Sequence, residues 1–369
     1  MAITIQPYTE DMVSAVCAFN EVLEAGAVPP EFRFPESSVP AWLPPVGNRR
    51  IYQKYYLAVE GDAVRGGFIL KYQDFSLGAQ IRRIAYYHLP LSQGIVNKAY
   101  AGVGVMMLRS ALKLEPVLFA LGMGGFDRPL PLMLKAMKWK LAAVPFFFRV
   151  IHPGPFLREI SALKRSPAMR LGAQFAGRTG VGWFAIHAAQ RFRQRAVNIK
   201  TQTGLVSEFG SWSDDLWREC SSTYAFIGSR DSATLNILYP PGKKFFCLRV
   251  TRDSSLLGWA VLLNTQMHGN KYFGNLCVGS IVDCLAAPQH AEYIVQAAAE
   301  FLVRQGCDLI VTNHSHGRWG VALTRSGFLS GPSNFVFAPS PALADALGPT
   351  QAISEIYLTR GDGDGPVNL

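Results

Sequence analysis

His88 closes an apolar run, Arg82–Leu89, and glycines follow it at Gly94, Gly102 and Gly104. Histidine ordinarily titrates near neutrality, so an imidazole at a strand end can act as a general base. Tyr86 and Tyr87 beside it carry phenol protons that could pass to a leaving group. A glycine-containing loop that runs into a helix suits an anion, because backbone N–H groups point outward there and the helix dipole favours negative charge. The pattern fits a reaction in which a phosphate-bearing donor is held by backbone amides while a proton moves close by. The chain has no Walker lysine, nucleophile elbow or kinase signature.

Two further clusters carry reactive groups. Asp283 sits inside an apolar run, as a buried carboxylate available for hydrogen bonding or proton transfer. Asn313-His-Ser-His316 spaces two imidazoles at i,i+2, but no Cys or carboxylate near them in sequence completes a metal set. We expect no metal there, and a polar loop at a strand end instead, where function often gathers.

Hydrophobic periodicity gives the elements that must position these residues. A short strand at Ile3–Ile5 precedes a helix over Glu10–Glu24, which Gly26 ends. Prolines at 29, 30, 35, 40, 44 and 45 make 27–50 irregular. Tyr55–Glu60 and Ala63–Tyr72 form a hairpin through Gly61-Asp62, and Arg82–Leu89 is the next strand. Then come a helix over Gly102–Lys113, a buried strand at Pro116–Leu121, a helix over Pro129–Lys140 with one basic face, and a strand at Val144–Val150.

The order restarts after residue 203. Strands are expected at Leu205–Phe209, Phe245–Val250, Leu256–Asn264, Tyr272–Leu285, Asp308–Thr312 and Asn334–Ala338. Helices are expected at Ser213–Thr223, Pro288–Gln305 and Gly317–Arg325, while Arg230–Tyr239 has no clear pattern. The two halves repeat one order of elements, which argues duplication at domain scale rather than a short-period repeat. The expected class is α/β with mixed sheets. A first domain spans 1–151, a basic helical connector 152–203, a second domain 204–360, and a Gly-Asp-rich tail, 361–369, is expected to be disordered.

Composition narrows the setting. Of 369 residues, 49% are hydrophobic and 17% charged, which is globular and not disordered. The six cysteines form no CxxC pair and read as free thiols in a reducing compartment. The N-terminus has no signal-peptide pattern, and no run is apolar enough to span a membrane, so a cytoplasmic protein is expected. The net charge of +10 is local: residues 135–200 hold thirteen Lys and Arg against one acid, Glu159. Such a stretch can dock on an anionic membrane surface at the inner face, or meet a polyphosphate or tRNA.

The order of elements, with a glycine loop between the strand ending at Leu89 and the helix at Gly102, resembles the GNAT acyl-CoA N-acyltransferases. The doubled form resembles tandem-GNAT and FemAB-like proteins over about residues 4–151 and 204–340. The resemblance implies that the loop, Ala99-Tyr-Ala-Gly102-Val-Gly104, binds CoA pyrophosphate through backbone amides, with Lys98 one residue before it. Leu89, Lys98, Ala101, Gly102, Val103 and Gly104 are then the acyl-CoA contacts. A second alignment places the pattern at Leu89-Pro90 and Gln93-Gly94, with 95–101 inserted.

In this resemblance His88, Tyr87 and Asp283 are the catalytic candidates, and the backbone near Tyr87–Leu89 polarises the thioester. The co-substrate is acetyl-CoA or another acyl-CoA, the acceptor is an amine, and no metal takes part. The acid that many relatives carry as a tyrosine on the fourth helix has no counterpart in Pro129–Lys140. The second half lacks the glycine loop, since its turn is Ala286-Ala-Pro-Gln-His290, and is expected to help form the acceptor site. Two rival readings share these residues: a non-catalytic binding protein on the same scaffold, and a FemAB-like transferase taking an aminoacyl group from tRNA.

Overall fold

The computed structural model describes residues 2–47, 49–78, 80–160, 188, 190, 201–242, 244–348 and 351–363. Its strands in chain order are β1 (Thr4–Pro7), β2 (Tyr52–Glu60), β3 (Ala63–Leu77), β4 (Gln80–Ser92), β5 (Leu118–Gly122), β6 (Ala142–Ala143), β7 (Phe146–Val150), β8 (Gln202–Val206), β9 (Phe226–Gly228), β10 (Phe245–Arg252), β11 (Ser255–Gln266), β12 (Cys277–Ala286), β13 (Leu309–Asn313), β14 (Leu329–Gly331), β15 (Val336–Pro339) and β16 (Ile356–Tyr357). The helices are α1 (Val13–Ala25), α2 (Val103–Leu114), α3 (Pro129–Ala136), α4 (Pro153–Glu159), α5 (Ser211–Cys220), α6 (Ser232–Leu238), α7 (Ala291–Arg304), α8 (Gly317–Arg325) and α9 (Pro341–Leu347).

The chain divides into two compact units, but not at the expected boundary. The first joins Met1–Ala143 to Asn334–Gln351, and the second joins Val144–Ser333 to Ala352–Leu369. Each unit is completed by a strand from the other half of the sequence. In the first, the sheet runs β1-β2-β3-β4-β5-β15-β6, and β15 pairs antiparallel with β5 from Val336↔Gly122 to Pro339↔Phe119. In the second, the sheet runs β14-β7-β13-β12-β11-β10-β8, and β7 pairs antiparallel with β13 from Leu309↔Val150 to Asn313↔Phe146. The two contiguous domains expected from sequence are therefore cross-completed.

Within the first unit, β2, β3 and β4 form an antiparallel meander, and α2 carries the chain across to β5, which lies parallel to β4. A parallel neighbour requires such a crossover. Val103, Met107, Leu108 and Ala111 form the buried stripe of α2, and Leu134 of α3 joins the same core with Tyr56, Phe68 and Tyr87. On the opposite side α1 buries Val16, Phe19 and Leu23. The proline-rich segment is irregular, as its composition requires. It is anchored by Asn20, whose side chain bonds both the carbonyl and the N–H of Phe34 at 2.9 Å.

The second unit repeats the plan. β10, β11 and β12 form the meander, α7 is the crossover, and β13 lies parallel to β12. The strand expected at Tyr272–Leu285 begins only at Cys277, because Gly274, at φ 57°, turns the chain back on Asn270. Likewise α3 stops at Ala136, short of Lys140, since Lys138 adopts φ 62°. The stretch Arg230–Tyr239 contains α6, with the Asp231 side chain capping it through the Thr234 N–H at 2.8 Å.

The tail also departs from expectation. Gly361 and Asp362 are buried, and residues 364–369 lie outside the described ones. Asp362 and Thr359 cap each other's backbone, and the Asp362 carboxylate meets the buried Arg230 guanidinium at 2.9 Å. Of the basic connector, α4 is described. Most of the rest of the connector, 161–187, 189 and 191–200, lies outside the described residues. Among the described residues no helix is long and apolar enough to cross a membrane.

Candidate active site

The relation between β4 and β5 sets the site. Their parallel pairing covers Ala85↔Leu118 and Tyr86↔Phe119. β4 continues to Ser92 and β5 to Gly122, so the two strands part beyond that register. The parting coincides with an irregularity in β4. Leu89 takes φ 44°, a left-handed conformation a leucine rarely adopts, and the β3–β4 register shifts between Gly67 and Ile69. Pro90 then supplies no N–H to the ladder.

One side chain ties the parted strands together. The Tyr86 hydroxyl donates to the Leu121 carbonyl at 2.9 Å, with its ring stacked on Phe119. His88 Nδ1 lies 3.2 Å from the same hydroxyl oxygen. Tyr86 has one hydroxyl proton, and Leu121 takes it. The His88 contact therefore needs a proton on Nδ1, which leaves the lone pair on Nε2. Lys71, buried, places its ammonium 5.5 Å from the Tyr86 ring centre and 5.4 Å from that of Trp42.

Strand alternation sends Tyr87 to the other face. Its ring is buried in the core beneath α2 and α3, and its hydroxyl has no hydrogen-bond partner among the described residues. Burial raises its pKa well above that of a free phenol. Tyr86 and His88 thus share one face of β4, and Tyr87 sits apart from them.

The glycine loop proves more elaborate than its sequence. Two short 3-10 turns, Gln93–Ile95 and Lys98–Tyr100, intervene before α2. Arg65 pins them, bonding Gln93 and Glu60 at 3.0 Å and stacking its guanidinium 4.5 Å from the Tyr100 ring centre. Gly94 packs so tightly against the Tyr100 backbone that a Cβ would lie 2.5 Å from its carbonyl oxygen. Gly102 and Gly104 are different. A Cβ on Gly102 would meet nothing within 4 Å, and one on Gly104 only the Met133 sulfur at 3.8 Å. The second and third glycines leave open space above the start of α2, while the first is a packing residue. Lys98 and Ala101 are exposed beside them, and Val103 is buried under α2.

Asp283 belongs to the second unit. It lies at a bulge where β12 slips against β11, and five donor contacts converge on its oxygens: Arg230 Nε and Nη2, Thr359 Oγ1, Tyr239 Oη and the Cys284 N–H, all between 2.9 and 3.1 Å. Burial pushes its pKa up and Arg230 opposes that effect; donors on both oxygens mark it as a carboxylate. Burial works against the charge on Arg230 too, but Asp283 and Asp362 hold the guanidinium charged.

The two imidazoles of Asn313-His-Ser-His316 are also in the second unit. His314 is buried, stacked 4.9 Å from Trp319, and its Nδ1 accepts the His316 N–H at 3.2 Å. Among the described residues no group of three or more His, Cys, Asp or Glu could hold a metal ion.

No protein-family profile matches the chain in sequence, and no curated protein does. Solved structures do match in fold. One is a probable N-acyltransferase from Enterococcus faecalis V583, at TM-score 0.52 and 8% identity, over 93% of this chain and 73% of that one. Another is Saccharomyces cerevisiae N-myristoyltransferase with bound myristoyl-CoA and inhibitors, at TM-score 0.50 and 9% identity, over 92% of this chain and 79% of that one.

The chain shares the mixed α/β fold of these acyltransferase structures.

Likeness at such low identity concerns architecture. Which residues act must come from the geometry above. Sequence reasoning raised both tyrosines and chose Tyr87, but strand register turns Tyr87 into the core and sets Tyr86 beside His88. It missed Lys71 and Arg65, whose signal was a charge inside an otherwise apolar strand.

Proposed function

We propose that this protein is an acyl-CoA-dependent N-acyltransferase, with the acyl donor held by its first unit. One observation carries the reading. The parallel strands β4 and β5 part just where β4 bulges, next to a helix start whose glycines leave open space. The backbone amides of the first turn of α2, at Gly102, Val103 and Gly104, suit the diphosphate of CoA, which the N-terminal dipole of α2 also favours. Lys98 and Ala101 flank that position. The thioester then reaches the parting of the strands. Alternation from Ala85, whose N–H points to the Val117 carbonyl on the β5 side, directs the Leu89 amide toward the same side. There it can polarise the thioester oxygen.

His88 is the proton acceptor in this scheme. The amine nitrogen attacks the thioester carbon, Nε2 of His88 takes the amine proton, and the carbon–sulfur bond breaks to release CoA. Tyr86 positions the ring by holding its Nδ1 proton, and its own bond to Leu121 fixes the hydroxyl. Tyr87 supports the core beneath the site. Asp283 anchors the second unit's bulge and tail. The acyl group is acetyl or a longer chain, and the acceptor is an amine.

Isothermal titration of the full chain with acetyl-CoA and with longer acyl-CoAs tests the donor. Binding that is lost on filling the space at Gly104 supports the reading. Absence of heat with every thioester sinks it.

A further inference from the structure

Arg65 is a half-buried cation in β3, and the acyl-transfer scheme gives it no part. Its backbone explains where the side chain goes. The β2–β3 pairing passes from Ala58↔Gly66 directly to Val59↔Val64, so Arg65 is the extra residue of a bulge in β3. A bulge bends its strand and re-aims a side chain. Here the guanidinium reaches a residue 28 positions later, Gln93, just beyond the end of β4.

Three contacts leave that guanidinium, and they span the loop that leads into α2. Nη1 donates to Gln93 Oε1 at 3.0 Å, where the loop begins. The guanidinium carbon sits over the Tyr100 ring, 4.5 Å from its centre and two residues before Gly102, the N-cap of α2. Nε donates to Glu60 Oε2 at 3.0 Å, and the Tyr100 hydroxyl donates to the same oxygen at 3.2 Å. The circuit Arg65–Glu60–Tyr100 is therefore closed, and Gln93 is tied to it. A planar guanidinium can stack and donate in two directions at once, which an ammonium cannot. Hydrogen bonds from Arg65 first, and from Tyr100 after it, hold the Glu60 carboxyl below its ordinary range against the opposing effect of burial.

The next residue seats the helix itself. A Cβ on Gly66 would lie 2.8 Å from the Leu91 carbonyl oxygen, 3.0 Å from the Met107 sulfur and 3.2 Å from Val103 Cγ1. Only a glycine lets the first turns of α2 approach β3 so closely. Arg65 holds the loop, Gly66 admits the helix, and the two are adjacent. Gly102 and Gly104 have no side chains to fix them, so their place is set from this dipeptide.

We infer that Arg65 is the positioning residue of the donor site: by tying Gln93 to Tyr100 it holds the start of α2 where its amides meet the diphosphate of CoA. Its effect is on donor affinity and not on the proton transfer at His88. The inference rests on the acyl-CoA reading given above.

Calorimetric titration of the full chain with coenzyme A and with acetyl-CoA tests it. Arg65→Met keeps the aliphatic stem and removes all three contacts. It is expected to weaken both ligands by roughly tenfold or more, since small misplacements of binding groups are costly. Arg65→Lys keeps the charge without the fork and should fall between Arg65→Met and the parent. Tyr100→Leu, at a half-exposed position, removes the stack and the hydroxyl and gives the same comparison if Arg65→Met does not fold. Circular dichroism verifies folding. Affinity of the folded protein is the readout that a packing role would not move. If the folded variants melt lower but bind coenzyme A as tightly as the parent, the inference is overturned and the acyltransferase reading stands. If the parent itself gives no heat with coenzyme A or any acyl-CoA, the acyltransferase reading fails and the inference falls with it.

Discussion

Tyr86 and His88, two residues apart on one face of β4, share the Tyr86 hydroxyl oxygen, which donates to Leu121 and lies 3.2 Å from His88 Nδ1. That arrangement fixes which imidazole nitrogen can accept a proton. His88→Gln keeps a polar side chain but cannot take the amine proton. It is expected to lower kcat by roughly 10²–10⁴-fold with little change in acyl-CoA affinity. Steady-state kinetics and acyl-CoA titration on the same preparation give both values. Loss of binding in place of turnover would make His88 a donor-site residue.

Tyr86→Phe tests the positioning role. It removes the bond to Leu121 and frees the His88 tautomer while keeping the ring stacked on Phe119. A fall in kcat with an altered pH–rate profile and unchanged KM for acyl-CoA is expected. A change confined to thermal stability would assign the residue to packing alone.

Gly104→Ala separates fold from function by sign. The new Cβ meets only the Met133 sulfur at ordinary contact distance, and alanine favours a helix over glycine by about 0.5–1 kcal/mol. The variant should melt slightly higher than the parent. If acyl-CoA amides lie at this position, it should also bind the donor more weakly. Higher Tm with unchanged affinity would remove Gly104 from the donor site.

Asp283→Ala leaves the buried Arg230 without one of its two carboxylates. Uncompensated buried charge typically costs about 3–5 kcal/mol. Urea denaturation should show a loss of this order, with acyl-CoA affinity of the remaining folded protein unchanged. Normal stability with lost turnover would return Asp283 to the chemistry.

Two imidazoles, His314 buried and His316 half-buried, predict how stability varies with pH. Burial, then Arg318, depresses His316 to about 4 from an ordinary 6.5, and burial with His316 and Arg230 holds His314 well below its ordinary value. Both bind a proton more readily in the unfolded chain. Their contribution to stability is therefore complete above about pH 6.5 and is lost as pH falls through the folded-state values. Urea midpoints measured from pH 7.5 to 4 should fall over that window, and His316→Asn should flatten the upper part of the slope. A midpoint independent of pH would show that these rings titrate normally.

Much of this was legible from local pattern. The Arg82–Leu89 run, the crossover helix after it and the repeat of that order follow from period and punctuation, and His88 was visible as an imidazole at a strand end. The exchange of β7 and β15 was not. Phe146-Phe-Phe is apolar on both faces, and β5 and β13 each present an edge of similar character, so no local signal says which edge a strand will join. The tail misled for a similar reason. A Gly-Asp run reads as solvated, while Asp362 is committed to Arg230, a partner 132 positions away.

The exchanged strands also govern how the chain can be made. β5 emerges from the ribosome long before its neighbour β15, which ends at Pro339. At about 5–20 residues per second that wait is roughly 10–40 s. Through this interval the nascent first sheet carries a bare hydrogen-bonding edge, and any chaperone that attends synthesis of this protein should be found shielding it.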